Sequence, residues 1–289
     1  MFLAKHLRKS RAKTRLVGVI SLEDNKEDNY RKYPILRGAN FTPNEWKEKL
    51  DARNVTNELV PKYHQLDKFN ALVNPFGELY LEKDAANLTD FRTIKNYIHD
   101  GGVFVNVGGL AFYYALNPER PGVETLTGPP VQTFIIDKNN LLNPILLSDQ
   151  SSVIDALLFR EFGVRTTIEE PIGEFETIVD KNFAGLPKPS FTIKPFRAVL
   201  RSEHKDTTVF PILRFRYVYD IPQPSPAQTL REVFPIAAIE YGAGFILLVG
   251  MEIKRTEEME YVIECLEFLL KKLLAGSIES KSCTPASRS

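Results

Sequence analysis

The chain has 289 residues, 43% of them hydrophobic and 11% aromatic, with 37 Lys plus Arg against 37 Asp plus Glu. That length can bury a substantial core, and the balanced charge excludes a global field suited to nucleic acid or an anionic surface. No apolar run is long enough to span a bilayer, and Phe2, Leu3 and Leu7 are too few for a signal-peptide core. Cys265 falls in a patterned helical segment and Cys283 in a polar tail, which argues against a structural disulfide and fits a reducing, cytoplasmic compartment.

The first 15 residues carry Lys5, Arg8, Lys9, Arg11, Lys13 and Arg15 with no acidic residue. Such an arm, bounded here at 1–13, either touches phosphates or an acidic partner or is a solvated terminus, and the plainer reading is the second. Leu16-Val17-Gly18-Val19-Ile20 is a β-branched run that reads as a first buried strand, ending at Ser21, Glu23 and Asp24. Thr42-Pro43-Asn44-Glu45 opens a helix: Thr42 caps, Pro43 suits the first helical position and Glu45 completes a capping box. Trp46 and Leu50 share its inward face.

Val55–Val60 and Ala71–Pro75 read as the next two strands. Leu88, Phe91, Ile94 and Ile98 recur at helical spacing over Asn87–His99, and Gly101-Gly102 stops that helix. Val103–Val107 is a fourth strand, and Gly108-Gly109 turns it into a short helix containing Phe112, Tyr113 and Tyr114. Pro118–Pro130 is a loop, Ser152–Phe162 a helix, and 172–235 a Pro-rich stretch with strand-like segments at Phe191–Leu200 and Phe210–Tyr219. Pro235–Tyr241, Gly242-Ala243-Gly244 and Phe245–Gly250 form a hairpin. The last helix carries a stripe of Met259, Val262, Ile263, Leu266, Leu269, Leu270 and Leu273, with Glu257, Glu258, Glu260, Glu264 and Glu267 mostly facing water. Residues 276–289 read as a disordered tail. Strand and helix alternate as in a parallel sheet covered on both faces. The expected fold is therefore α/β, a flavodoxin-like doubly wound, mainly parallel sheet, in one domain over 14–275 with a β-rich antiparallel extension at 172–235.

This order of parts resembles the class I glutamine amidotransferase-like superfamily. Asn74-Pro75-Phe76-Gly77-Glu78 is similar to its Pro-Gly-Gly turn, Asn106-Val107-Gly108-Gly109-Leu110 to the approach to its nucleophile elbow, and the 235–250 hairpin to its late strand. The resemblance implies a Cys on the elbow, a His after the late strand and a Glu two residues beyond. By position these fall at Gly109 (Gly108 or Leu110 in a neighbouring register), at Gly250 and at Glu252. Thiol chemistry needs the sulfur and the base together, and both places hold glycine. The chain is closer in style to non-amidotransferase branches, such as trehalose-utilisation-like proteins and glycosidase-associated domains, several of which bind ligands or hold assemblies together.

Open parallel sheets place ligands at the carboxyl ends of their strands. This nominates Asn74, Phe76, Gly77, Glu78, Asn106, Gly108 and Gly109, where either backbone N–H groups at the start of a helix after Gly108-Gly109 hold an anion or polar oxygen or the glycines merely permit a tight turn and close packing. Glu78 is the best carboxylate there. With Glu23 or Asp24 it would give the alternative of a carboxylate-dependent hydrolase of a carbohydrate-like substrate. A third reading is an assembly subunit using the basic arm or the β extension. Phe112–Tyr114 either wall a pocket or pack a core, and the core is preferred. No P-loop, paired-Cys zinc spacing or clustered histidine calls for a cofactor or metal. The expected partners are a small polar or carbohydrate-like ligand, a protein or a second copy, with nucleic acid only through the arm.

Overall fold

The structure, a computed structural model, describes residues 16–22, 40–84, 87–116, 123–125, 132–134, 157–167, 176–195, 197–219 and 229–275. The basic arm, Glu23 and Asp24, the segments at 135–147 and 220–227, and the tail with Cys283 lie outside these residues.

Five parallel strands form the centre of the main sheet: β1 (Val17–Ile20), β2 (Asn57–Val60), β3 (Ala71–Asn74), β5 (Val103–Val107) and β14 (Gly244–Val249). Their spatial order is β2-β1-β3-β5-β14, so counted along the chain the parallel strands stand second, first, third, fourth, fifth. Their side chains alternate between two cores. Val17, Val19, Val73, Val105 and Leu247 meet helix α1 (Pro43–Ala52) and helix α4 (Thr256–Ala275) on one face. Leu72, Phe104, Ile246 and Leu248 meet helix α2 (Thr89–His99) and helix α3 (Leu157–Phe162) on the other. A strand buried on both faces needs apolar residues at every position, hence its unbroken Val/Ile/Leu runs.

Local signals set the helix ends. Thr42 Oγ1 accepts from Glu45 N at 3.2 Å and Glu45 Oε2 accepts from Thr42 N at 2.6 Å, the expected capping box. Trp46 and Leu50 are each 1% exposed, on the inward face. Helix α2 begins at Thr89 rather than Asn87, because Leu88 takes φ 52° and offers no side-chain cap. Its cap comes from outside the helix: the buried Glu82 carboxylate accepts from Asp90 N at 3.2 Å and Phe91 N at 2.9 Å. Burial pushes the Glu82 carboxyl up, against the backbone N–H groups of Phe91, Asp84 and Asp90 that favour its charge.

The glutamates of α4 do not all face water. Glu258 is 7% exposed and its Oε2 accepts from Lys254 N at 2.6 Å and Arg255 N at 2.9 Å, closing the start of the helix. Glu260, Glu264 and Glu267 are half-buried against α1, where Lys49 and Arg53 reach them. Sequence periodicity places a residue on a face, and a neighbouring helix decides whether that face is wet.

The antiparallel extension joins the sheet through β13 (Thr229–Tyr241), which pairs with β14, with β12 (Thr207–Tyr219) and, at Phe234, with β11 (Val199–Ser202). β9 (Val164–Thr166) pairs with β11, and β10 (Glu176–Val179) with β12. Pro235 stands where β13 changes partner from β14 to β11, a place where a missing N–H is tolerated. The Gly242-Ala243 turn, with Gly242 at φ 62°, connects β13 to β14 as expected. Residues 191–194 form no strand, so the strand-like reading of Phe191–Leu200 holds only from Val199 onward. A second, four-stranded sheet joins β4 (Leu79–Leu81), β6 (Tyr114–Leu116), β7 (Val123–Thr125) and β8 (Gln132–Phe134), and places strand β7 inside the expected 118–130 loop. Among the described residues no helix is long and apolar enough to cross a membrane.

Candidate functional site

The carboxyl ends of β3 and β5 lie side by side, with Asn74 paired to Asn106 in register. Both asparagines are 0% exposed, in the alternation position that puts Leu72 and Phe104 into the core. A buried amide needs partners, and these two supply one another. Asn74 Nδ2 donates to Asn106 Oδ1 at 3.0 Å and to Leu79 O at 2.7 Å, and Asn106 Nδ2 donates to Gly109 O at 3.1 Å. Their polarity ties the two loops to the strand ends.

The loop after β3 turns through Gly77 at φ 67°, and Leu79 N donates to Phe76 O at 3.2 Å. This delivers Glu78 over the loop after β5. Gly109, at φ 117°, adopts a backbone open to glycine and strained for any side chain. A Cβ there would stand 2.5 Å from Glu78 Cγ and 2.9 Å from Glu78 Oε1. Glu78 therefore lies on the bare face of Gly109, where a nucleophilic side chain would begin.

One expectation about this elbow is corrected. No helix follows Gly108-Gly109: the chain passes through a turn at Ala111–Phe112 into β6, because Tyr114 N donates to Glu78 O at 2.9 Å and recruits 114–116 to the edge of β4. The Gly108 and Gly109 amides both donate to Val249 O, at 2.9 and 3.0 Å. The next amide, Leu110 N, points into the crevice and donates to Glu78 Oε1 at 3.2 Å. Phe112, Tyr113 and Tyr114 are 0%, 1% and 5% exposed, with Phe112 stacked on Phe104 at 4.9 Å between centroids, so the triplet packs core.

At the position where the resemblance implies a His, a Cβ on Gly250 would lie 1.9 Å from Arg197 O. The two backbones run together, Arg197 N donating to Gly250 O at 3.1 Å. No imidazole can be seated there without moving that segment. Glu252 carries its carboxylate to Lys254.

Arg197 then joins the two positions. While its backbone covers Gly250, its Nε donates to Glu78 Oε1 at 3.1 Å, with side-chain exposures of 13% for Arg197 and 9% for Glu78. Arg197 thus touches both places where the resemblance implies a thiol and an imidazole, its side chain through Glu78 at Gly109 and its main chain at Gly250. Tyr114 lies beside it; burial and the Glu78 charge push its phenol far up, so it stays neutral. Among the described residues no group of His, Cys, Asp or Glu is placed to hold a metal ion. Arg197 is not legible in the sequence. It lies 119 positions from Glu78 in a Pro-rich stretch without periodicity, and its one hint is a lone cation between Phe196 and Ala198-Val199.

No family model matches the chain, and no curated protein matches it. Among solved structures it is similar to a beta-galactosidase from Bacillus circulans sp. alkalophilus, at 10% identity and a TM-score of 0.46, over 89% of this chain and 31% of that one. A beta-galactosidase from Rahnella sp. R3 gives 12% identity and a TM-score of 0.44 over 89% and 31%, and the exo-beta-1,4-mannosidase Op5Man5 from Opitutaceae bacterium strain TAV5 gives 9% and 0.35 over 97% and 39%. The chain spans about a third of the length of these glycosidases. At such identities and scores the likeness assigns no activity to it.

Proposed function

We propose that the chain is a flavodoxin-like, non-catalytic relative of the glutamine amidotransferase-like domains, serving to bind a partner or a polar ligand rather than to turn over a substrate. The single observation that carries this reading is that two paired residues cover both positions, the Glu78 side chain over Gly109 and the Arg197 main chain over Gly250. A thiolate–imidazole pair needs a nucleophile on the elbow and a base within hydrogen-bond reach. Here each place is filled by protein atoms. The parallel strand order, second-first-third-fourth-fifth, supports the flavodoxin-like assignment.

The same geometry argues against Glu78 as a general base. A base must reach the proton it abstracts, and the Glu78 side chain is only 9% exposed, with its charge held by Arg197 Nε and Leu110 N. The test is turnover by the purified protein of glutamine and a panel of aryl glycosides, for wild type and Glu78→Gln. The expected result is no turnover by either. Glycoside or glutamine hydrolysis by wild type that is lost in Glu78→Gln overturns the reading.

A further inference from the structure

Three amides follow one another at the elbow. The first two are consumed by Val249 O, and the third, Leu110 N–H, converges with the Arg197 guanidinium on a single point. Two donors, one of them cationic, held in a buried environment define an anion site. That point is occupied by Glu78 Oε1, at 3.2 Å from Leu110 N and 3.1 Å from Arg197 Nε. The rest of the Glu78 side chain rests on the bare face of Gly109, where a Cβ would come within 2.5 Å of its Cγ. The site therefore has donors, a shape and an occupant.

We propose that Leu110 N–H, Arg197 and the face of Gly109 form a carboxylate-binding site, and that Glu78 is its built-in ligand. This deepens the closed-elbow reading and rests on it for the location of the site. The ligand class is a small monocarboxylate: a carboxylate carbon with one methylene or methyl, the size that lies between Cβ and the tip of Glu78. Ala at this position keeps Cβ and removes Cγ, Cδ and both oxygens, which are the heavy atoms of acetate. Acetate is thus the matched probe for the emptied site, and acetamide is its neutral counterpart.

The experiment follows the thermal unfolding midpoint of wild type, Glu78→Ala and the double variant Glu78→Ala/Arg197→Met in sodium acetate, in sodium chloride of equal ionic strength and in acetamide. A ligand that binds only the folded state raises the midpoint saturably. For Glu78→Ala the expected rise is about 3 °C once acetate reaches about tenfold its Kd. Chloride and acetamide give no such rise, and neither does acetate with the wild type or the double variant. The proposal is overturned if acetate acts on Glu78→Ala no more than chloride does, or acts equally on the double variant. Should Glu78→Ala fail to fold unaided, its refolding yield from denaturant in acetate against chloride is the readout, a higher yield in acetate supporting the site and an equal one overturning it. Absence of rescue leaves the turnover result standing, and turnover leaves the rescue standing, so the two readings fail separately.

Discussion

Gly109 and Gly250 look alike in the sequence, as two glycines where the resemblance implies functional side chains, yet the structure constrains them by different means. Gly109 is held at φ 117°, so a side chain there carries backbone strain and also meets the Glu78 side chain, which yields only by loosening its bonds to Leu110 N and Arg197. Gly250 meets a backbone carbonyl at 1.9 Å, which can move only with its segment. Gly109→Ala is therefore expected to cost about 1–3 kcal/mol. Gly250→Ala is expected to cost more than about 3 kcal/mol, by overpacking against the main chain. Denaturant midpoints of the two variants check the order, and a smaller loss at Gly250 contradicts the assignment of Arg197 O as the obstacle. The asparagines at the strand ends show the same separation between residue type and role. Asn74 and Asn106 are legible as polar residues at the end of apolar strands, but their 0% exposure and mutual hydrogen bond arise only when β3 and β5 pair.

Helix ends show how far local chemistry reaches. The α1 capping box is complete within Thr42 and Glu45, so reading it needs only neighbouring residues. The caps of α2 and α4 are carboxylates with opposite electrostatic balances. Burial raises Glu82, so its contribution to stability is present below the ordinary glutamate pKa and is lost as pH rises through the elevated folded value. For Glu258 burial opposes the charge, but the N–H groups of Lys254 and Arg255 and the Arg255 guanidinium outweigh it and hold the carboxyl low. Its contribution is present above the ordinary pKa and is lost as pH falls through the lowered folded value. Denaturation of wild type and each Glu→Gln variant between about pH 3 and about pH 7 separates the two. The stability gap between wild type and Glu82→Gln is expected to shift against wild type as pH rises, while the gap for Glu258→Gln shifts in favour of wild type. Loss of either cap to Ala is expected to cost about 1 kcal/mol. Equal slopes for both variants contradict the assigned signs.

At the scale of the molecule, the two cores on opposite faces of the sheet make side-chain access a reporter of global opening. Cys265 is 0% exposed among the residues of α4 that pack on the sheet, and burial, then Glu264, push its thiol far up. In a Cys283→Ser variant, a disulfide reagent is expected to label Cys265 only at the rate of global unfolding, at least about 1,000-fold slower than in denaturant. Rapid labelling of the native protein contradicts the packing of α4. The sequence by itself determined the elements whose signals are local or periodic: the buried parallel strands, the α1 cap, the 241–244 turn, the stripe of α4, and the absence of a thiol and an imidazole from Gly109 and Gly250. The tertiary structure alone decided the small second sheet, the hydrogen bonds of the Gly108 and Gly109 amides to Val249 O, the burial of Glu258 and the Glu78–Arg197 pair. The physical reason is range. A helix or strand pattern repeats within a few residues, whereas the ion pair that fills the crevice joins groups 119 positions apart in sequence, and only the folded sheet brings them within 3.1 Å.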